Sequence, residues 1–250
     1  MNPTRTATRR AAAGLALAGG LLAVGGCATV ANPHPADPWE SFNRPMSEFN
    51  ERVDAVVLKP VATAYKEKVP PLVRTGVANF SGNLGDAWSF VNSALQGKVQ
   101  QAADNFARVQ INSVFGVFGL FDVASDLNIE RHREDFGQTL GHWGVPAGPY
   151  LVLPFFGPST LRDTAAMPID RRGDLASYID PYGTRYATYG VRLVHYRAAL
   201  LRASSVLDEA ALDKYSFMRD AHLQRRRAEV YEPDDPRRDV PPPWPEGESR

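Results

Sequence analysis

An all-α fold is what this 250-residue chain predicts, with short irregular segments rich in glycine and proline. Three observations carry the prediction. Apolar residues return at helical spacing in two long runs, one from Trp39 and one from Val73. Two further helical segments are expected near residues 182–204 and 208–229. The one extended piece, Leu151-Val152-Leu153, has no hairpin signal on either side.

The chain opens with three arginines (Arg5, Arg9, Arg10) and no acid, then an apolar stretch from Gly14 to Val24, then Gly25-Gly26-Cys27. A basic start, a short apolar centre and small residues before a cut are the parts of a secretory leader. Val24-Gly25-Gly26-Cys27 has the form of a lipobox, so residues 1–26 are expected to be removed and Cys27, the single cysteine, to be acylated. Each buried CH₂ contributes roughly 0.8 kcal/mol, so several acyl chains on one residue hold a protein stably at a membrane. Ala28 follows, where an aspartate would favour the inner membrane; the expected address is the periplasmic face of the outer membrane. The leader holds three of the 28 basic residues and none of the 28 acidic ones, so the remainder is slightly acidic. That balance gives no electrostatic footprint for nucleic acid.

Residues 27–36 read as a tether. Asp37, with Pro38 and Glu40 behind it, reads as a helix N-cap. Trp39, Phe42, Met46, Phe49 and Val53 then recur at gaps of three and four, a stripe expected to face a core, with a kink at Pro45. Pro70-Pro71 opens the strongest run: Val73, Val77, Phe80, Leu84, Trp88, Val91 and Leu95. Gln96-Gly97-Lys98 ends it, and a helix around residues 102–110 follows. Residues 109–121 contain no charge, and Phe115, Phe118 and Phe121 stand three apart. A stretch this short does not span a bilayer; it fits a buried core helix or a re-entrant or interfacial element. The lipid anchor favours membrane contact, which makes Val114, Phe115, Phe118, Leu120 and Phe121 the candidate membrane-contact or gate residues. Ser159 is placed to cap the next helix. Residues 37–232 are expected to form one helical domain, and the Pro-rich, charged residues 233–250 a disordered tail.

Catalytic equipment is not expected. His34, His132, His142, His195 and His222 make no metal-ligand spacing, and Asp122, Asp126, Asp135, Asp163 and Asp170 lack a calcium-loop pattern. They read as caps and solvated charges. Ser159, His142 and Asp163 can be assembled into a triad on paper, but no Gly-x-Ser-x-Gly elbow supports a hydrolase. No cofactor, metal or catalytic residue is assigned.

Ordered blocks along the chain resemble the MlaA family, also called VacJ, of outer-membrane lipoproteins. They begin with Asp37-Pro38-Trp39-Glu40-Ser41-Phe42-Asn43-Arg44, Phe49-Asn50, Lys59-Pro60-Val61-Ala62, Val77-Ala78-Asn79-Phe80 and Leu95-Gln96-Gly97-Lys98. Asp135-Phe136-Gly137-Gln138-Thr139-Leu140-Gly141, Gly148-Pro149-Tyr150 and Gly157-Pro158-Ser159-Thr160-Leu161-Arg162-Asp163 follow, then Asp213-Lys214-Tyr215. The resemblance implies a single ring-like helical domain lying in the inner leaflet of the outer membrane, facing the periplasm. It implies an amphipathic channel that removes mislocalised phospholipid from the outer leaflet and passes it to an MlaC-type periplasmic lipid-binding protein. It also implies association with a trimeric outer-membrane porin, and transport without chemistry on the lipid. The rival reading is a non-transporting structural or tethering lipoprotein.

Overall fold

The computed structural model of the protein describes residues 34–210, 212–231 and 235. The leader, Cys27 and nearly all of the tether and the Pro-rich tail lie outside the described residues. The fold is mostly helical, as the sequence predicts.

The first helix, α1 (Glu40–Val53), starts two residues later than expected. Asp37 is not its side-chain cap. Its carboxylate is buried, accepting hydrogen bonds from Asn43 Nδ2 at 2.7 Å and from the Tyr215 hydroxyl. The helix runs on through Pro45 and passes into a π-turn, Asp54–Leu58, before α2 (Lys59–Lys68). Pro60 has no N–H to donate, and the Lys59 N–H reaches five residues back to the Asp54 carbonyl, so the register widens here. Helix α3 (Pro71–Leu95) pairs with α4 (Val99–Val114), joined by a turn at Gly97, whose φ is +74°. Short helices α5 (Val123–Asp126) and α6 (Phe136–His142) follow; the side chains of Asp122 and Asp135 cap them.

A hairpin then appears where none was expected. β1 (Tyr150–Leu153) pairs antiparallel with β2 (Gly157–Thr160), Tyr150 opposite Thr160 and Leu153 opposite Gly157. Its turn needs positive φ at Phe155 (+66°) and Gly157 (+79°), a pattern outside the two-residue turns that mark hairpins in a sequence. Two distant asparagines of α1 replace a local turn signal. Asn43 donates to the Tyr150 carbonyl at 3.0 Å and accepts from Val152 N–H at 2.8 Å. Asn50 donates to the Leu153 carbonyl at 2.9 Å and accepts from Phe155 N–H at 2.7 Å. Thr160, not Ser159, caps α7 (Leu161–Gly173) by accepting from Asp163 N–H. After a 3₁₀ turn (Leu175–Tyr178), α8 (Tyr182–Ala210) packs on α2, and α9 (Lys214–Val230) closes the domain.

The apolar stripes are not the buried faces of these helices. In α1 the buried residues are Glu40 and Asn43, while Phe42 and Phe49, and Trp39 just before the helix, are exposed. In α3 the buried residues are Ser81, Asn83, Asp86, Ser89, Asn92 and Ser93, while Val73, Val91 and Leu95 are exposed and Val77, Phe80, Leu84 and Trp88 only half-buried. The core expected beneath the α1 stripe is therefore not an apolar one, and the buried face of α3 is polar as well. A small apolar cluster, Tyr150, Val152 and Tyr215 with Met46 and Leu223 against it, sits beside the hairpin. Among the described residues no helix is long and apolar enough to cross a membrane.

Candidate functional site

The first half of α3, the segment after α4 and one face of α8 enclose a cavity of about 550 Å³. Leu72, Val73, Val77 and Phe80 of α3 line it with Val191 of α8 and with Leu120 and Phe121. Thr75, Asn79 and Ser81 of α3, and Thr184, Thr188 and Arg192 of α8, add polar groups. On α8 the lining residues are Thr184, Ala187, Thr188, Val191 and Arg192, spaced so that one helical stripe faces the cavity. Arg192 is neutralised by Asp174, its Nη1 standing 2.7 Å from Oδ2. The result is a mostly apolar recess with a few hydroxyls and amides, the composition of a site for a mainly apolar ligand.

Helix α4 ends at Val114, and the chain turns tightly through residues 115–121. Val117 and Phe118 adopt left-handed φ of 51° and 55°, and Gly119 reaches 87°. A β-carbon on Gly119 would meet Asn83 at 2.7 Å, and one on Gly116 would stand 2.1 Å from the Phe121 carbonyl, so both glycines are close-approach positions. The α3 asparagines hold the turn from below: Asn79 Nδ2 donates to the Leu120 carbonyl at 3.0 Å and Asn83 Nδ2 to Ser113 Oγ at 3.1 Å.

The five sequence-predicted residues separate into two groups. Val114, Phe115 and Phe118 project outward, Phe118 being 78% exposed; Leu120 and Phe121 line the cavity and are also exposed. None of the five belongs to the protein interior.

Immediately behind Phe121 lies a buried ionic network that sequence reasoning missed. Arg108 is 1% exposed; its Nη2 donates to both Asp122 carboxylate oxygens at 2.6 and 2.8 Å, its Nη1 to the Ile129 carbonyl at 2.6 Å, and its Nε to Asp86 at 3.2 Å. Arg131 Nε lies 2.9 Å from the other oxygen of Asp86. Burial works against ionisation at Asp122, yet hydrogen bonds from Asn112, Ser125 and Arg108 outweigh it and hold the carboxyl at about 2. At Asp86 burial prevails over both arginines and raises the pKa. A second network fixes α9: Arg226 binds Asp135 and Asp163 at 2.7 and 2.9 Å. Asp122, Asp135 and Asp163 are therefore not solvated charges alone; each also joins an arginine to a helix start. The readable signal was the residue type on α3: Asn79, Asn83, Asp86, Ser89, Ser93 and Gln96 recur at gaps of three and four. Short polar side chains in place of long lysines and glutamates mark a polar face built for burial.

Among the described residues Ser159 and Asp163 make no hydrogen bond to His142. The Ser159 hydroxyl is hydrogen-bonded to Thr164 Oγ1 at 2.9 Å, and Asp163 accepts from Arg162 and Arg226.

The family model described as MlaA lipoprotein matches residues 35–229. Proteins named "Intermembrane phospholipid transport system lipoprotein MlaA" from Shigella flexneri and Escherichia coli (strain K12) are each 37% identical over 216 residues, covering 84% of this chain and 85% of theirs. The Haemophilus influenzae protein of that name is 37% identical over 204 residues, covering 78% of this chain and 79% of its own. A solved structure described as "Structural basis for maintenance of bacterial outer membrane lipid asymmetry" superposes with a TM-score of 0.70 at 36% identity, over 78% of this chain and 99% of that one.

Proposed function

This chain belongs to the MlaA lipoprotein family, and from that premise we propose that it is a lipoprotein of an intermembrane phospholipid transport system that maintains outer-membrane lipid asymmetry. It makes and breaks no bond. Acylated Cys27 tethers it to the inner leaflet of the outer membrane, and a ring-like helical domain seats there with its exposed apolar residues in lipid. Phospholipid misplaced in the outer leaflet enters an amphipathic path, passes the segment at residues 114–121 and is handed to an MlaC-type carrier in the periplasm. A trimeric porin holds the protein in place.

The observation that supports this reading best is the inverted burial of α3: Asn, Ser and Asp inside, Val and Leu outside. Moving a lipid headgroup through hydrocarbon costs several kcal/mol, because its polar groups lose water without gaining partners. A body with a polar interior and apolar residues outside can seat in lipid, and the hydroxyls and amides of the adjoining recess lower that cost for a headgroup while the tails stay in hydrocarbon. In cells lacking the endogenous protein, this chain is expected to lower the phospholipid exposed on the cell surface, measured with an added phospholipase. A Leu120→Asp variant, which places a charge in the apolar cavity, should be present in the membrane at normal level and fail to do so. Full restoration by that variant would remove the cavity from the path; no restoration by the unaltered chain would end the transport reading.

A further inference from the structure

Helices α2, α3 and α8 also meet around a smaller cavity of about 160 Å³. Tyr65 and Lys66 of α2, Arg74 in the first turn of α3, and His195, Ala198 and Ala199 of α8 form its wall. The two alanines leave room that longer side chains would fill. Arg74 commits its Nε–H to the Val69 carbonyl at 3.1 Å, which leaves the terminal amino groups of its guanidinium to the cavity. Among the described residues neither Arg74 nor Lys66 is ion-paired with a carboxylate, whereas Arg108, Arg131, Arg192 and Arg226 each are. Tyr65 Oη lies 3.3 Å from His195 Nδ1. Both groups sense the uncompensated charge: burial lowers the His195 pKa and Arg74 lowers it further, while at Tyr65 burial raises the pKa and Arg74 opposes it.

A half-buried cavity lined by an arginine, a lysine and a tyrosine has the donor set for a tetrahedral anion. Arginine offers a planar fork to two oxygens and lysine a point charge to a third. The larger apolar cavity uses the same two helices: Val73 precedes Arg74, and Val191 stands four residues, about 6 Å, before His195. That step is short beside the length of a phospholipid. We infer that the small cavity is a phosphate subsite, in which Arg74, Lys66 and Tyr65 hold the phosphate of a phospholipid whose acyl chains lie in the apolar cavity. The lipid as source rests on the transport reading above; the phosphate chemistry does not, since free phosphate offers the same oxygens.

The test uses the full chain in an uncharged maltoside detergent with ring-labelled histidines, His195 being assigned by its loss in His195→Gln. Dihexanoyl phosphatidylglycerol is expected to shift the His195 resonance, and dihexanoylglycerol, with the same tails and no phosphate, to leave it in place. Lys66→Gln should weaken phosphatidylglycerol binding about tenfold. Arg74→Gln should weaken it at least as much and Arg74→Lys less, each variant keeping the parent circular dichroism spectrum. Since the Lys66 ammonium makes no contact a fold would need, that variant keeps the test open if Arg74→Gln misfolds. Unchanged affinity in Lys66→Gln, or an equal shift with dihexanoylglycerol, overturns the subsite. Inorganic phosphate binding as tightly as the lipid reassigns the site to free phosphate and overturns the lipid assignment. A chain that binds phosphatidylglycerol here yet leaves surface phospholipid unchanged in cells defeats the transport reading and leaves the subsite standing.

Discussion

His222 sits in α9 with Nε2 buried and without a hydrogen-bond partner, its ring 6.0 Å from that of Tyr150. Burial, then the charges of Arg226 and Arg225, lower its pKa to about 4, against a smaller opposing pull from Asp163. The unfolded chain binds the proton near 6.5, so the stability this residue confers is complete above that pH. It is lost as pH falls toward 4, by about 2–3 kcal/mol. Asp86, whose pKa is raised, acts with the opposite sign, favouring the fold as its carboxyl protonates. Chemical denaturation in detergent at pH 7 and pH 4 should show the net loss, and His222→Gln should flatten it; an unchanged slope would assign the loss elsewhere. Arg108 offers a larger effect. Removing it leaves Asp86 and Asp122 facing each other's surroundings with only Arg131 between them, and Arg108→Met should cost about 3–5 kcal/mol, read as a lower denaturation midpoint.

Among the elements, the helices were legible and the hairpin was not. The runs from Trp39 and Val73 do form α1 and α3, because spacing alone fixes which residues share a helical face. Spacing does not say which face is covered, and the residues buried in α1 and α3 are polar ones. The hairpin depends on Asn43 and Asn50, more than 100 residues away in sequence, so no window around Leu151 contains its cause. Asn43→Leu strands the Tyr150 carbonyl and the Val152 amide; a loss of about 2–4 kcal/mol, with the hairpin amides exchanging faster, is the expected result. The segment around Phe118 was singled out by its lack of charge, and the structure adds its exposure. Phe118→Asp should therefore fold normally. If the segment enters the hydrocarbon region, the new charge weakens seating by roughly 2.5–3.5 kcal/mol. A spin label at position 118 reached by lipid-soluble quenchers is the expected finding, and one reached only by aqueous quenchers would place the segment in water.

At the scale of the molecule, the described domain keeps arginines and asparagines inside and presents phenylalanines and valines outside. In the proposed seating, a lipid anchor adds to the affinity for lipid that the exposed apolar residues supply. Cys27→Ser should lose metabolic palmitate label, and its folded domain should still enter the detergent-rich phase on phase separation. Recovery in the aqueous phase would mean that the exposed apolar residues are covered by something other than lipid.

The reversal of α3 also sets which substitutions this protein can absorb. In a water-soluble helix the surface accepts almost any polar residue and the apolar face resists change. Along α3 the order turns over. Val91 and Leu95 should exchange freely among Leu, Ile, Met and Phe, since an exposed apolar position has no fixed partner whose shape it must match. Asn83, Asp86, Ser89 and Asn92 should resist even a change of one atom, because each answers a partner fixed by the neighbouring elements. Divergence among such chains would then gather on their oily positions, and lineages would keep their asparagines longer than their leucines.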